Sequence, residues 1–196
     1  MTSRADSALR TREALLDAGL EIAEQHGLAA MSVNRVVAAA GVAKGTFYVH
    51  FPDRGSFLNA LHQRFYELLL DAVGQAMAAV APGRIRLWRG METYLDVCLQ
   101  YNGVKAMLLE ARNDPTVSGQ VAARTALFAA HAEPDLLAMG WPDAASAARL
   151  VVAMSAELSL AEQATGARDD DGRATLWQLL ERLDVGGVAT RARIEP

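Results

Sequence analysis

The segment of residues 32–51, SVNRVVAAAGVAKGTFYVHF, most constrains the fold, because it places two short helical patterns on either side of one glycine. Its first half repeats apolar residues at helical spacing, with Ser32 at the position of an N-cap. Gly41 is expected to end this helix, because a residue without a Cβ atom adopts left-handed dihedrals at little cost. A second helix is expected to begin at Ala43 or Lys44. Two helices joined by a short, glycine-containing turn form a helix-turn-helix.

Such a unit predicts double-stranded DNA as a partner, because its second helix lies in the major groove and reads base edges from its N-terminal part. Lys44 can donate to guanine O6 or N7, and Gly45 lets the backbone approach the groove closely. Tyr48 carries a phenol that projects from the same helix face as Lys44. His50 can donate to a phosphate or simply satisfy a backbone carbonyl. Arg54 adds charge-assisted donors at the start of the next helix.

The segment GVAKGTFYVHFPDR resembles the recognition segment of the TetR family of one-component transcriptional repressors, and the resemblance extends from about Leu9 to Leu69. It implies a small DNA-binding head and a larger helical body that binds an effector and forms a dimer. The positions at which it implies phosphate contacts are Ser32, Thr46, Tyr48, His50 and Arg54. The positions that it implies near the bases are Asn34, Lys44 and Gly45.

Three residues depart from the pattern of that family. Ala43 stands where the family usually has a capping Ser or Thr, so this helix start is expected to lose about 1 kcal/mol. Arg35 replaces a common acidic residue and can be simply a solvated charge, and Val37 replaces a common Ala. These departures concern the operator contacts and leave the motif intact.

The whole chain is predicted to be all-α, because helical periodicity recurs along its 196 residues and no strand pattern or internal repeat is present. The predicted helices, about nine in number, include residues 9–25, 32–40, 53–80, 84–102, 104–112, 117–132, 143–165 and 173–183. Glu133 and Pro134 are expected to interrupt the helical pattern. The predicted domains are a helix-turn-helix domain over residues 1–53, with the start of a linking helix at 53–80, and an effector-binding and dimerisation domain over 81–196.

The formal net charge of −4 is unevenly distributed along the chain. Residues 1–64 hold seven Lys or Arg and six Asp or Glu, a balance of +1, so the rest of the chain carries −5. The acidic charge therefore lies away from the predicted DNA-reading segment. A single cysteine excludes an internal disulfide, no apolar run approaches about 18 residues, and the polar N-terminus lacks a signal-peptide core. These features predict a cytoplasmic protein with no membrane partner.

An enzyme is the competing class of protein. Glycine-rich phosphate loops and the motifs HExxH and G-x-S-x-G are absent from the sequence. Cys98 and His131 show no metal-ligand spacing, and a lone cysteine in an apolar stripe usually serves packing. The sequence therefore predicts no catalytic residue, metal or cofactor.

The C-terminal body is predicted to hold a pocket for an unknown small-molecule effector. The candidate lining residues are apolar and helically spaced, and they are Trp88, Met91, Leu95, Cys98, Met107 and Phe128. The same stripe is compatible with ordinary core packing. Glu157 interrupts the apolar run VVAMSAELSLA, and it can meet a cationic group of an effector, pair across a dimer or face water.

The last two helices are predicted to form a four-helix bundle with those of a second copy, about a twofold axis. The residues assigned to this homodimer interface are Ala147, Leu150, Val151, Met154, Leu158, Leu176 and Leu180. The small ones let backbones approach and the larger ones supply apolar area. Alternatively, both helices complete the core of their own body.

These inferences predict a ligand-responsive transcriptional repressor that binds a pseudo-palindromic operator as a dimer and is released by a small molecule in its C-terminal domain. The alternative is a helix-turn-helix protein without a small-molecule effector, controlled by its abundance or by a protein partner. A body that encloses a pocket of about 300–1,000 Å³ would favour the first function, and a solid core would favour the second.

Overall fold

The computed structural model describes residues 4–27, 31–101 and 115–184, and within these ranges helices and turns account for the chain without any strand. The helices in this part of the chain are α1 (Arg4–His26), α2 (Val33–Ala39), α3 (Lys44–His50), α4 (Arg54–Ala78), α5 (Arg84–Gln100), α6 (Pro115–Ala138), α7 (Ala144–Thr165) and α8 (Asp170–Asp184). The predicted all-α class is confirmed. The predicted helix over residues 104–112 lies outside the described residues.

The backbone divides into two compact units, with boundaries inside α4 (72/73), α5 (95/96) and α6 (122/123). Unit 1 comprises the described residues of 1–72 and 96–122, and unit 2 comprises those of 73–95 and 123–196. This division follows packing rather than function. The assignment of DNA binding to residues 1–53 and of effector binding to 81–196 therefore stays a prediction.

Three phenylalanine rings pack together in unit 1. Phe47 lies on α3, Phe51 directly follows α3, and Phe57 lies on α4. The ring centroids of Phe47 and Phe51 lie 5.5 Å apart, and both rings lie 5.1–5.2 Å from that of Phe57. All three side chains are buried, as the sequence predicted for Phe47 and Phe51. Tilted and edge-to-face aromatic pairs at this separation add stabilisation beyond the area that they bury.

Gly19 of α1 lets this helix approach α4 closely. A Cβ atom at Gly19 would lie 2.7 Å from Cζ of Phe57 and 3.0 Å from Cδ1 of Leu61. Both neighbours are fully buried, so neither ring nor side chain has free space to move into. The glycine is therefore a requirement of packing inside unit 1.

The turn between α2 and α3 has the local geometry that the sequence predicted. Ser32 caps α2 through a hydrogen bond that its side chain accepts from the Arg35 N–H, 3.3 Å away. Gly41 has a φ of 66°, in the left-handed region where a glycine has no Cβ penalty. Ala43 precedes α3 in an extended conformation without any side-chain cap, as the sequence predicted.

Unit 2 has its own core, in which α5, α6, α7 and α8 take part. The largest buried side chains of this core include Leu87, Leu136, Val151 and Leu180. The predicted interruption at Glu133 and Pro134 was wrong, because α6 continues through Pro134 to Ala138. Proline lacks an N–H and usually breaks a helix. Here the two residues that follow it, Asp135 and Leu136, anchor this part of α6 to unit 2.

Asp135 and Leu136 provide that anchorage. The Asp135 Oδ1 atom accepts hydrogen bonds from the Gly83 N–H at 2.8 Å and from Arg86 Nε at 2.6 Å. Leu136 is completely buried in the core of unit 2. Tertiary contacts thus outweigh the loss of one helical hydrogen bond.

Among the described helices, α7 alone is long and apolar enough to cross a membrane by length and composition, with a mean hydropathy of 1.3. This criterion averages hydropathy over a window, whereas the expectation concerned an uninterrupted apolar run, which Arg149 and Glu157 break in α7. Helices in protein cores pass the same test, and 33% of this window is buried within the chain. α7 follows an Asp143 cap and ends at Thr165, and the next residue, Gly166, has a φ of 66° like Gly41.

Candidate nucleic-acid interface

α3 is held by one buried side chain and leaves the rest of its surface accessible. Of its seven residues, Phe47 is buried, Thr46 and His50 are half-buried, and the others are exposed. Tyr48 is 50% exposed although its ring packs edge-on against Phe47 at 5.4 Å. A short helix anchored in this way can enter a groove without disturbing the core beneath it.

The structure leaves every residue of the predicted DNA-binding set accessible. Ser32, Asn34, Lys44, Gly45, Tyr48 and Arg54 are exposed, and Thr46 and His50 are half-buried. They occupy the cap and first turn of α2, the length of α3 and the first residue of α4. All of them belong to unit 1. DNA contact by these residues stays a prediction.

Gly45 is a glycine that the fold of the chain does not require. A Cβ atom at this position would meet no other atom within 4 Å, and the residue does not have a positive φ. Glycine in a helix costs about 0.5–1 kcal/mol relative to alanine. A bare backbone at the exposed first turn of α3 is what close approach to a base edge would need.

The start of α4 combines a cap and a cation. Asp53 Oδ1 accepts a hydrogen bond from the Ser56 N–H at 2.6 Å. This bond, together with one from the Ser56 hydroxyl, holds the pKa of the Asp53 carboxyl below its usual value. Because the carboxylate already occupies the helix N-terminus, the exposed Arg54 guanidinium, and not the terminus itself, is the donor available to a phosphate.

Arg12 has a role that the sequence did not reveal. Three arginines, Arg4, Arg10 and Arg12, lie close to the N-terminus of the sequence. The structure places all three on α1, with the Arg12 guanidinium carbon 5.2 Å from the centroid of the Phe51 ring. This cation–π contact joins α1 to the aromatic cluster.

Unit 2 encloses a small apolar cavity of about 40 Å³. This volume is far below the range of about 300–1,000 Å³ that is usual for ligand pockets. The lining residues are Val73, Met77, Leu87, Gly90, Met91, Tyr94, Phe128, His131, Ala132, Val151, Val152 and Ser155. At this volume the cavity could not take a ligand of ordinary size without displacing some of its lining side chains.

Only part of the predicted lining set borders this cavity. Met91 and Phe128 do, whereas Trp88, Leu95, Cys98 and Glu157 do not. Trp88 instead packs edge-on against Trp177 at 4.8 Å, Leu95 and Cys98 are buried elsewhere in core packing, and Glu157 is exposed on α7. Met107 lies outside the described residues.

The polar groups around the cavity have partners of their own. Ser155 donates its hydroxyl to the Val151 carbonyl at 2.9 Å, and His131 Nδ1 lies 2.9 Å from the Leu127 carbonyl oxygen. Gly90 lets α5 approach α4, because a Cβ atom there would lie 2.8 Å from the Met77 sulfur. The cavity is therefore suited to an apolar group that needs no hydrogen bonds, and flexible methionine side chains are the part of its wall that can adapt.

The buried charge of α7 is Glu162, and the sequence pointed to Glu157 instead. Glu162 forms two hydrogen bonds with Arg173, from Nε at 2.6 Å and from Nη2 at 2.9 Å, and both side chains are at most 2% exposed. Arg173 Nη1 also donates to Glu92 at 3.1 Å. Glu162 lies three turns after buried Val151 on the same helix face, but the sequence alone does not show that this face is the buried one.

The predicted dimer set divides between core and surface. Ala147, Val151, Leu176 and Leu180 are buried in the core of unit 2, so this part of the prediction corresponds to the alternative that both helices complete their own body. Met154 and Leu158 are half-buried, and Leu150 is 64% exposed. The helical periodicity of the sequence does not distinguish the buried residues of α7 from the exposed ones, because this helix is apolar on most of its circumference.

Comparisons with known proteins agree with the geometry of unit 1. The sequence profile of "Bacterial regulatory proteins, tetR family" matches residues 15–61, which include α2, α3 and the start of α4. The HTH-type transcriptional repressor LfrR of Mycolicibacterium smegmatis is 34% identical over 88 residues, which are 45% of this chain and 46% of that protein. The chain spans less than half the length of the curated relatives that it matches.

Solved structures show a similar fold over most of the chain. A transcriptional regulator from Rhodococcus sp. Rha1 superposes with a TM-score of 0.73 at 20% identity and covers 91% of this chain and 99% of its own. The crystal structure of LfrR from Mycobacterium smegmatis in complex with proflavine has a TM-score of 0.59 at 24% identity, covering 93% and 99%.

Proposed function

We propose that this chain is a transcriptional repressor of the TetR family of bacterial regulatory proteins. It binds a pseudo-palindromic operator as a homodimer. The reading head is α3, with Lys44 and Gly45 at bases and with Thr46, Tyr48, His50 and Arg54 at phosphates. Asn34 and Ser32 on the preceding helix contact bases and phosphate respectively. A small apolar molecule in unit 2 releases the repressor from DNA.

The observation that carries this proposal is the first turn of α3. Its glycine has no packing role in the chain, its lysine is exposed, and one buried ring beneath them fixes the helix on the surface. An exposed amphipathic helix alone would not require a glycine there. A helix that must bring its backbone to the floor of the major groove does.

Selection of bound duplexes from random DNA tests the proposal directly. We expect an inverted repeat to be enriched, because a twofold protein reads a twofold site. Lys44→Ala should relax base preference at one position of each half-site, by about 1–3 kcal/mol of discrimination. Arg54→Ala should weaken binding about equally for all sequences and reduce the salt dependence, because a phosphate contact releases a counterion.

Arg89→Ala provides the matched control, because Arg89 is an exposed arginine of unit 2 and should leave DNA affinity unchanged. If no inverted repeat is enriched at moderate salt, operator binding as proposed is wrong. If Arg54→Ala changes base preference rather than overall affinity, its assignment to phosphate is wrong.

The effector is proposed to be a small apolar molecule that enters the cavity between Met91 and Phe128. The crystal structure of LfrR in complex with proflavine supports the proposal in that a protein of similar fold binds a small molecule. Since the cavity holds only about 40 Å³, binding must displace side chains, and Met77 and Met91 are the flexible ones in its wall. A screen for compounds that release the selected operator tests this.

The second candidate function is a DNA-binding repressor without a small-molecule effector, controlled by its abundance or by a protein partner. The small volume of the cavity favours it. Thermal-shift screening separates the two functions. Compounds that raise the unfolding temperature and lower operator affinity support the effector, and their absence from a large apolar library supports the alternative.

A further inference from the structure

Val49 is the most exposed large apolar side chain in the described part of the chain, at 80%. It belongs to α3, between Tyr48 and His50, and it is not among the DNA contacts that the sequence predicted. Valine is less favourable than alanine in a helix, because its branched Cβ atom restricts the side chain. A side chain with this exposure recovers little of that cost through packing. The fold therefore does not account for a valine at this position.

Helical geometry places Val49 on the face of α3 that points away from the core. Successive residues of an α-helix are rotated by about 100°, so Gly45 and Val49 each lie about 160° from buried Phe47. They are four residues apart and are therefore neighbours on one face. Since Phe47 anchors α3 in unit 1, the face that carries Gly45 and Val49 is the outermost part of this helix.

Gly45 leaves an open recess beside the Val49 side chain. A Cβ atom at residue 45 would meet no other atom within 4 Å, so the Val49 methyl groups do not fill this space. Side chains of a helix lean towards its N-terminus, which directs Val49 over the turn that contains Gly45. The missing side-chain carbon of residue 45 has the size of a methyl group. The recess between Gly45 and Val49 can therefore accept one methyl group.

Polar side chains border this recess on both sides of α3. Lys44 and Tyr48 lie on one side, and Thr46 and His50 lie on the other. Their ammonium, hydroxyl and imidazole groups are suited to the phosphates and sugars that line a groove. The recess itself has no donor or acceptor side chain, so its side chains cannot recognise a base through a hydrogen bond.

Thymine is the base whose edge matches such a recess. Its C5 methyl group is the apolar group that base pairs present in the major groove. A polar atom of another base would lose its hydration against Val49 without gaining a hydrogen bond. A thymine methyl group instead removes apolar surface of both partners from water.

We propose that the recess between Gly45 and Val49 binds the C5 methyl group of one thymine in each half-site of the operator. This inference rests on the DNA binding of the proposed function and adds Val49 to it as a specificity-determining residue. It also explains the glycine beside Val49 by the space that a methyl group needs.

Replacing thymine by uracil in the selected operator tests the inference, because uracil lacks only the C5 methyl group and keeps the same base pairing. We expect one position in each half-site at which uracil weakens binding of the wild type about fourfold, and about fifteenfold when both half-sites are changed. Val49→Ala should reduce this penalty for uracil to less than about twofold. The penalties at other thymines should not change.

Gly45→Ala separates the recess from a simple need for close approach of the backbone. The alanine methyl group has room in the protein, since no atom would lie within 4 Å of it, but it takes the place of the thymine methyl group. We expect Gly45→Ala to weaken binding of the thymine operator more than binding of the uracil operator. Equal weakening of both would assign Gly45 to backbone approach alone and would overturn the recess.

Ile85→Ala is the matched control, because Ile85 is also a β-branched helical residue, is 65% exposed and belongs to unit 2. It should leave the operator affinity and every penalty for uracil unchanged. Circular dichroism of each variant checks that the helices are retained.

The outcomes separate this inference from the proposed function. If selection from random DNA enriches no inverted repeat, both are wrong. If an inverted repeat is enriched but no uracil position distinguishes the wild type from Val49→Ala, the inference alone is wrong. A Val49→Ala variant that binds every duplex as tightly as the wild type would make Val49 a solvated side chain, which also overturns the inference.

Discussion

At the scale of single residues, two helical glycines of this chain differ in what surrounds them. A Cβ atom at Gly19 would lie 2.7 Å from the buried Phe57 ring, whereas one at Gly74 would meet nothing within 4 Å. Both are in helix interiors, where glycine is less favourable than alanine. Replacing each glycine by alanine therefore separates the effect of packing on the free energy of unfolding from the effect of the glycine backbone.

We therefore expect Gly19→Ala to lower the free energy of unfolding by about 1–3 kcal/mol, because the methyl group overpacks unit 1. Gly74→Ala is the control and should raise it by about 0.5–1 kcal/mol. Urea unfolding followed by circular dichroism measures both. A Gly19→Ala variant as stable as the Gly74→Ala variant would show that α1 does not need its close approach to α4.

At the scale of helices, α7 and α8 are joined by an ion pair that water does not reach. Arg173 is satisfied by Glu162 and Glu92, and the Glu162 carboxylate also accepts from the Asp169 N–H at 3.0 Å. Each charge of a buried ion pair depends on the other, because removing one partner leaves an uncompensated charge in a medium of low dielectric constant, which destabilises the fold. The geometry thus fixes how the two helices meet within unit 2.

Glu162→Ala should destabilise the protein by about 3–5 kcal/mol, because Arg173 stays buried and loses both of its hydrogen bonds to Glu162. Replacing both residues by methionine should cost less than this single change. The exposed pair of Arg64 and Asp17, 3.4 Å apart, is the comparison, and Asp17→Ala should cost less than about 1 kcal/mol. Equal costs for the single and double replacements at the buried pair would contradict this account.

At the scale of the whole molecule, one helix carries residues of both proposed activities. Arg54 begins α4, and Val73 and Met77 near its other end line the cavity. A ligand that displaces Met77 would therefore act on the same helix that carries Arg54, the proposed phosphate contact. If ligand and operator prefer different positions of this helix, their affinities are linked reciprocally.

An effector identified by screening should lower operator affinity about 5–150-fold, and the operator should lower effector affinity by the same factor. Paired titrations, each with and without the other ligand, measure both factors. Ala132→Leu, which fills the cavity, should abolish effector binding and keep operator binding. A tight ligand that leaves operator affinity unchanged would refute the linkage, and release that survives Ala132→Leu would locate the effector elsewhere.

The sequence by itself determined the structure of the helix-turn-helix, because its information is local. The Ser32 cap depends on an N–H three residues away, and Gly41 alone determines the left-handed turn. The helical period shows that Phe47 must face inward and leaves Lys44 and Tyr48 outside. Interactions over such short separations are nearly independent of the rest of the chain, so they can be predicted without it.

Only the tertiary structure decided which faces of the body are core and which are surface. The sequence of α7 is apolar on most sides, so period alone did not separate buried Val151 from exposed Leu150, or Glu162 from Glu157. The continuity of α6 through Pro134 likewise depends on Gly83 and Arg86, about fifty residues earlier. These outcomes follow from packing between distant segments, where the gain from burial and paired charge exceeds local preference.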